Sequence, residues 1–180
     1  MAMGQHPELI FGELNGRQGI TTQKVLAEEQ SIVDWVKQGK GMFAPLVENY
    51  GPLNPKLDAE QRKAVEHILA SRDRVTALEG KSGTGKTWLT REIVSIMEAN
   101  HHKVLVLAPS SETVNETLQK QGFPNAQTVS QLLVNERLRD QYAHGIWWVD
   151  EAGQLSAGSM NKLYALADWH GARVVVSGDV

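Results

Sequence analysis

The chain has 180 residues, 41% of them hydrophobic and 22% charged, with a formal net charge of −3 at pH 7. That is an ordinary globular composition at the size of one domain, and it excludes a bulk basic surface, so any nucleic-acid binding must come from a local groove. The absence of cysteine excludes disulfides and thiolate metal sites, no apolar run approaches the roughly 18 residues of a membrane span, and the opening MAMGQHPELIF lacks the basic-then-apolar layout of a secretory signal.

Residues 21–37 place Val25, Leu26, Ile32, Val33 and Val36 at helical spacing, with Thr22, Glu28 and Glu29 suited to a helix start. QGKGMFAP then reads as a linker, and YGPLNPK, with Gly51, Pro52 and Pro55, as a strong break. This places a boundary near residue 50, between an N-terminal helical segment (1–50) and a larger unit (51–180). In the larger unit helices and strands alternate. Helices are predicted over 58–71, 86–99, 111–121, 129–137 and 157–169, and strands over 74–78, 103–108, 146–149 and 174–176. Near-continuous apolar strands alternating with helices imply an α/β fold, a parallel sheet covered on both faces. Trp147 and Trp148, adjacent on one strand, should point to opposite faces and pack in the core. The six histidines, His6, His67, His101, His102, His144 and His170, show no metal-ligand spacing.

After the first of these strands comes GKSGTGKT, residues 80–87, which has the spacing of a phosphate-binding loop between a strand and a helix. Gly80, Gly83 and Gly85 let the backbone curl until its N–H groups face phosphate oxygens. Lys81, Ser82 and Thr84 complete the cradle. The helix opening at Lys86 turns its positive end on the same anion. Lys86 is expected to reach the β- and γ-phosphates of ATP, and the Thr87 hydroxyl to hold Mg²⁺. IWWVDEA ends another strand with Asp150 and Glu151, on the sheet edge where the loop also lies. Asp150 is expected to bind or orient Mg²⁺ and Glu151 to polarise the attacking water. Upstream, the amide of Gln61 offers a donor and an acceptor that match the N6 and N7 edge of adenine. A surface glutamine on a helix would look the same.

The succession of Gln61, GKSGTGKT, LAPSSETVNETL, AQTVSQLL, VDEAGQLS and VVVSGDV resembles a superfamily 1 DNA helicase of the RecD-like branch, over about residues 53–180. The stretch TTQKVLAEEQSIVDWVKQGKG resembles what precedes the helicase motor in TraI/TrwC-type conjugative relaxases. The resemblance implies a P-loop NTPase (RecA-like) three-layer sandwich, truncated after its fourth core strand, with those strands ordered first, fourth, third, second. It implies an ATP-dependent DNA helicase as parent, with ATP and Mg²⁺ as cofactors and single-stranded DNA as partner, in the bacterial cytoplasm and in contact with conjugation machinery. Pro109, Ser110 and Ser111, after Ala108, match the family's single-strand contact motif, and Thr128 a further DNA-contact threonine. Such groups grip phosphate without reading sequence, although serine at a strand end is also a good helix cap. Gly178 and Asp179 match the start of a motif that continues in the family to a coupling glutamine. That glutamine, the second RecA-like domain with its arginine finger, and the relaxase tyrosine with its histidine cluster are not among these residues. The piece is therefore expected to bind nucleotide but turn it over poorly, since an arginine finger contributes about 10³–10⁵ in rate. An unflanked strand 74–78 is expected to invite self-association unless residues 1–50 cover it. The residues leave two alternatives: a P-loop ATPase that does not act on DNA, and a non-catalytic nucleotide-binding or recruitment module. The presence together of Lys86, Thr87, Asp150 and Glu151 argues against a decayed site.

Overall fold

A computed structural model describes residues 9–14, 17–80 and 85–178. Lys81, Ser82, Gly83, Thr84 and Asp179 lie outside the described residues.

An antiparallel hairpin opens the described chain. It pairs β1 (Leu9–Leu14) with β2 (Arg17–Thr22), with Leu9 opposite Thr22. The helical reading of this end did not anticipate it. Helix α1 (Gln23–Gln38) follows, capped by the Thr22 hydroxyl, which accepts from the Val25 N–H at 3.2 Å. No residue of α1 is fully buried. It lies on α6 (Ala157–Trp169), where Trp35 stacks on Tyr164 with centroids 4.5 Å apart and planes 16° apart. The Arg74 guanidinium sits 4.8 Å from the centroid of Trp35 and reaches Asp168 at 3.5 Å. Burial pushes the Tyr164 hydroxyl up to about 12, so it stays neutral in this packing.

The main sheet has five parallel strands in the order β3 (Val75–Glu79), β7 (Arg173–Gly178), β6 (Ile146–Val149), β4 (Val104–Ala108) and β5 (Gln127–Thr128). The first four follow the order that the resemblance implies. The two-residue β5, which continues the sheet beyond β4, was not foreseen. Both faces of the sheet are covered. One carries α2 (Ala59–Leu69) and α3 (Lys86–Ala99), through Ile68, Ile93 and Met97. The other carries α6, through Leu163 and Ala167, with Ile32, Trp35 and Val36 of α1 packed partly beside it. Trp148 belongs to the first core and Trp147 to the second, on opposite faces, and both are wholly buried. This is the α/β three-layer sandwich.

Two helical predictions need correction. Residues 111–121 do not form one α-helix, because Thr113–Leu118 is π-helical, with the Gln119 N–H bonded to the Val114 carbonyl at 2.9 Å. Val114 and Leu118 stay buried, so the apolar spacing reads the same for either helix type. Residues 129–137 split into α4 (Val129–Val134) and α5 (Glu136–Gln141). Asn135 breaks the run. Its backbone is extended and its side chain caps α5, accepting from the Leu138 N–H at 3.1 Å, while Arg139 bonds the Leu132 and Leu133 carbonyls at the end of α4.

The linker after α1 is stitched to the approach to β3. Arg74 N–H donates to the Gly39 carbonyl at 2.8 Å, and Val47 N–H to Leu69 at 2.9 Å. Arg173 donates to the carbonyls of Asp73, Ala44 and Ser71 at 2.7–3.0 Å and covers the Phe43 ring. Burial pushes this guanidinium down to about 10, against a smaller opposing pull from Asp73, so it remains charged at neutral pH. These contacts stop short of the outer edge of β3, which pairs with β7 alone among the described residues and leaves Ala77 exposed. No helix among the described residues is long and apolar enough to cross a membrane.

Candidate nucleotide-binding site

A parallel sheet delivers all its strand ends to one edge. Here Gly80, Pro109 and Asp150, which follow β3, β4 and β6, and Gly178, which ends β7, come to that edge together. Gly80 and Gly85 flank residues 81–84 of the phosphate loop in the chain. Gly85 adopts φ 77°, ψ 26°, a left-handed conformation that suits glycine, and it starts α3 with no side-chain cap and no acidic residue in the first turn. The positive end of this 14-residue helix therefore carries no acidic residue of its own. Lys86 Nζ donates to the Gly80 carbonyl at 2.9 Å and so spans the two ends of the loop. The Gly80 N–H reaches the Gly178 carbonyl at 3.4 Å, which ties the loop to β7.

Two cavities flank this point. The first, of about 520 Å³, is lined by Gln61, Ala64, Leu78, Gly80, Lys86 and Leu89. Asp58, Glu60 and Glu79 line it as well, so the apolar part is limited to Ala64, Leu78 and Leu89, beside which Gln61 supplies the one amide that suits a base. Gln61 is also the third residue of a capping box: its N–H donates to Asp58 Oδ1 at 2.8 Å, and its Oε1 accepts from the Asp58 N–H at 3.1 Å. The capping alternative to adenine reading is thus realised, and it leaves the Nε2 donors and one lone pair of Oε1 for a ligand.

The second cavity, of about 460 Å³, brings Gly85, Lys86, Thr87, Asp150, Glu151 and Gly178 together, with Thr113 also in its lining. Asp150 follows the wholly buried β6, its N–H bonded to the Leu107 carbonyl at 2.8 Å, and its Oδ1 accepts from Ser177 Oγ at 2.8 Å. Glu151 turns the chain in the left-handed region, φ 51°, ψ 38°, a conformation that is strained for a residue with a Cβ. Its Oε2 accepts from Thr113 Oγ1 at 3.3 Å and Gln154 Nε2 at 3.1 Å. A threonine hydroxyl and a carboxylate are hard oxygen donors that fit Mg²⁺. Among the described residues no group of three or more His, Asp or Glu could form an all-protein metal cage, and Mg²⁺ at nucleotide sites takes few protein ligands, phosphates and water supplying the rest.

The residues after β4 do local work. Ser110 Oγ accepts from the Thr113 N–H at 3.1 Å and lies 3.0 Å from Thr113 Oγ1. Ser111 is exposed. Thr128, directly beside Ala108 in the sheet, is only 6% exposed, and its hydroxyl serves a capping box with Gln131, accepting from the Gln131 N–H and donating to Gln131 Oε1, both at 3.1 Å. A polar cleft of about 140 Å³ nevertheless joins Ser111 to Thr128, with Asn115, Gln119, Gln127 and Gln131 around it. Thr113, Ser177 and these amides were missed in the sequence. The spacing of Asn115 and Gln119 hinted at a shared face, and a lone serine in the apolar run of β7 was visible.

Residues 56–180 match the family model described as an AAA domain. The chain is similar to the multifunctional conjugation protein TraI of Escherichia coli (strain K12), 31% identical over 162 residues that cover 84% of this chain and 9% of that protein. It is similar to the probable conjugal transfer protein TraA of Sinorhizobium fredii (strain NBRC 101917 / NGR234), 28% identical over 166 residues, 88% of this chain and 15% of that protein. It is also similar to the conjugal transfer protein TraA of Rhizobium radiobacter, 26% identical over 144 residues, 79% of this chain and 13% of that protein. The matched region thus spans 9% to 15% of the length of these relatives.

Proposed function

Because the chain belongs to the AAA-domain family, we propose that residues 51–180 are the nucleotide-binding part of the first RecA-like domain of an ATP-driven motor that moves on single-stranded DNA. In this reading residues 1–50 are an accessory segment, and the parent protein is a conjugative relaxase-helicase of the bacterial cytoplasm. The observation that carries the nucleotide half is the cavity shared by Lys86, Thr87, Asp150 and Glu151 at the strand ends. The phosphate loop and the α3 N-terminus receive the phosphates of ATP. Lys86 exchanges its bond to Gly80 for the β- and γ-phosphates. Thr87 and Asp150 hold Mg²⁺, which when bound neutralises charge on the phosphate oxygens. Glu151, with Oε2 already held by two donors, uses its other oxygen to orient the attacking water. Gln61 hydrogen-bonds adenine from the wall of the first cavity.

The DNA half rests on the polar cleft between Ser111 and Thr128 and on the conjugation names of the relatives. Pro109, Ser110, Ser111 and Thr128 mark the strand path. The amides of Asn115 and Gln119 supply sequence-independent contacts to phosphate and sugar. On this reading these 180 residues, whose matched region is 9% to 15% of the length of the conjugation relatives, bind Mg-ATP weakly and hydrolyse it slowly by themselves.

The test is steady-state ATP hydrolysis by the full-length protein with and without a single-stranded oligonucleotide. DNA should raise the rate. Glu151→Gln should keep nucleotide binding and stop turnover. Hydrolysis indifferent to DNA would leave an ATPase of another kind, and full turnover by Glu151→Gln would remove the water-orienting role.

A further inference from the structure

We propose that Ser177 is a positioning residue for the cation side of this site: its hydroxyl, oriented by the indole of Trp148, holds the Asp150 carboxylate ready for Mg²⁺. The proposal rests on the assignment of Asp150 made above.

The argument is one of proton accounting. Ser177 is 2% exposed and Trp148 is wholly buried. Trp148 lies opposite Val175 in the β6–β7 register, and Ser177, two residues on, shares that face. Trp148 Nε1 lies 3.0 Å from Ser177 Oγ. An indole N–H can only donate, so Ser177 Oγ must accept from it. The single hydroxyl proton of Ser177 is then left for another partner. Two acceptors are in reach, Asp150 Oδ1 at 2.8 Å and the Val149 carbonyl at 3.4 Å. The nearer is a carboxylate oxygen at a normal O–H···O distance, whereas 3.4 Å is long for such a bond. The relay therefore runs one way, from Trp148 N–H to Ser177 O–H to Asp150 Oδ1. Asp150 Oδ2 has no hydrogen bond among the described residues, and Asp150 lines the cavity with Thr87. One oxygen is fixed by the sheet and the other is available to a cation or its water.

A buried hydroxyl is costly unless paired, and an apolar side chain would continue the run VVV of β7 with no such cost. The serine is useful at this position because two rigid strands meet there. β6 anchors Trp148 and presents Asp150, and β7 brings Ser177 between them. The following Gly178 carbonyl accepts from Gly80, so the same strand end touches both the carboxylate and the phosphate loop.

The experiment measures the affinity of the full-length protein for a fluorescent ADP analogue, with Mg²⁺ and with EDTA. The readout is the ratio of the two dissociation constants. Ser177→Ala should lower the gain from Mg²⁺ by roughly tenfold, the scale of one hydrogen bond to a charged group, and leave the affinity in EDTA unchanged. Ser177→Thr, which keeps the hydroxyl, should restore the gain. Trp148→Phe, which frees the hydroxyl to rotate, should give an intermediate loss. If Ser177→Ala is too unstable to purify, Ser177→Cys, a weak donor of similar size, should reduce the gain in the same direction. Asp150→Ala is the control for the underlying assignment. If it leaves the gain intact, Asp150 is not a metal-side residue and the reading of the site fails. If it abolishes the gain while Ser177→Ala keeps it, the positioning role of Ser177 is overturned and the site stands. A drop in thermal stability of Ser177→Ala with an unchanged Mg²⁺ gain would also overturn it, since the serine would then serve only the Trp148 indole.

Discussion

Replacing Trp35 with alanine isolates what holds α1 to the rest of the chain. The helix buries no residue completely, so its attachment depends on a few partly buried groups, Ile32, Trp35 and Val36, and on a hydrogen bond from Asn161 Nδ2 of α6 to the Glu28 carbonyl at 2.8 Å. Trp35 contributes three separable effects: a stack on Tyr164 at 4.5 Å, worth about 1 kcal/mol beyond its area, the Arg74 guanidinium at 4.8 Å, about 0.5–1 kcal/mol, and burial of part of the indole, about 1.5 kcal/mol. Together they come to about 3 kcal/mol, on the order of a hundredfold in an opening equilibrium. A 16-residue helix that loses its tertiary face has little reason to stay folded. The loss should therefore be local. In hydrogen exchange read by mass spectrometry, peptides from Gln23–Gln38 should lose about two decades of protection, while peptides from Ile146–Val149 keep theirs. Unchanged protection in α1 would mean that the stack contributes nothing. An equal loss in β6 would mean that α1 and the sheet unfold as one unit.

Other outcomes follow from individual contacts. Lys86→Ala should abolish nucleotide binding in a calorimetric titration, because the side chain that spans the loop is gone. Asn135→Ala should cost about 1 kcal/mol in denaturant unfolding, through loss of the α5 cap. The outer edge of β3, which no other described strand pairs, should drive concentration-dependent association in sedimentation velocity. Ala77→Lys, at an exposed position of that edge, should suppress it. A chain that sediments as a monomer at all concentrations would refute the edge argument.

The sequence carried the sheet well, because buried parallel strands are short apolar runs and their helices have clear periodicity. IWWV and KVLVLA could hardly be anything else, and adjacent tryptophans on a strand must face opposite ways. Thr22 as a cap was legible for a similarly local reason. The hairpin β1–β2 is hard to read because LIFGEL has no clean alternation, although the dipeptide Asn15-Gly16 is a strong hairpin signal in sequence. The π-helical stretch could not be read, since Val114 and Leu118 keep a spacing common to both helix types. The site divides along the same line. The residues on the phosphate loop and at the end of β6 announce themselves by spacing. Ser177 and Thr113 do not, because each acquires its partner only when distant strands come into register.

The sheet has two unlike rims. The β3 rim is five residues long, whereas the β5 rim is two residues long and runs straight into α4. An open chain of molecules would need both rims, each adding to the other in a head-to-tail repeat, and the short one offers almost no ladder to extend. Contact through β3 alone brings like against like, and like against like is a twofold arrangement that uses up its own surface. Association that starts at this strand therefore closes at a pair and does not propagate into a fibre.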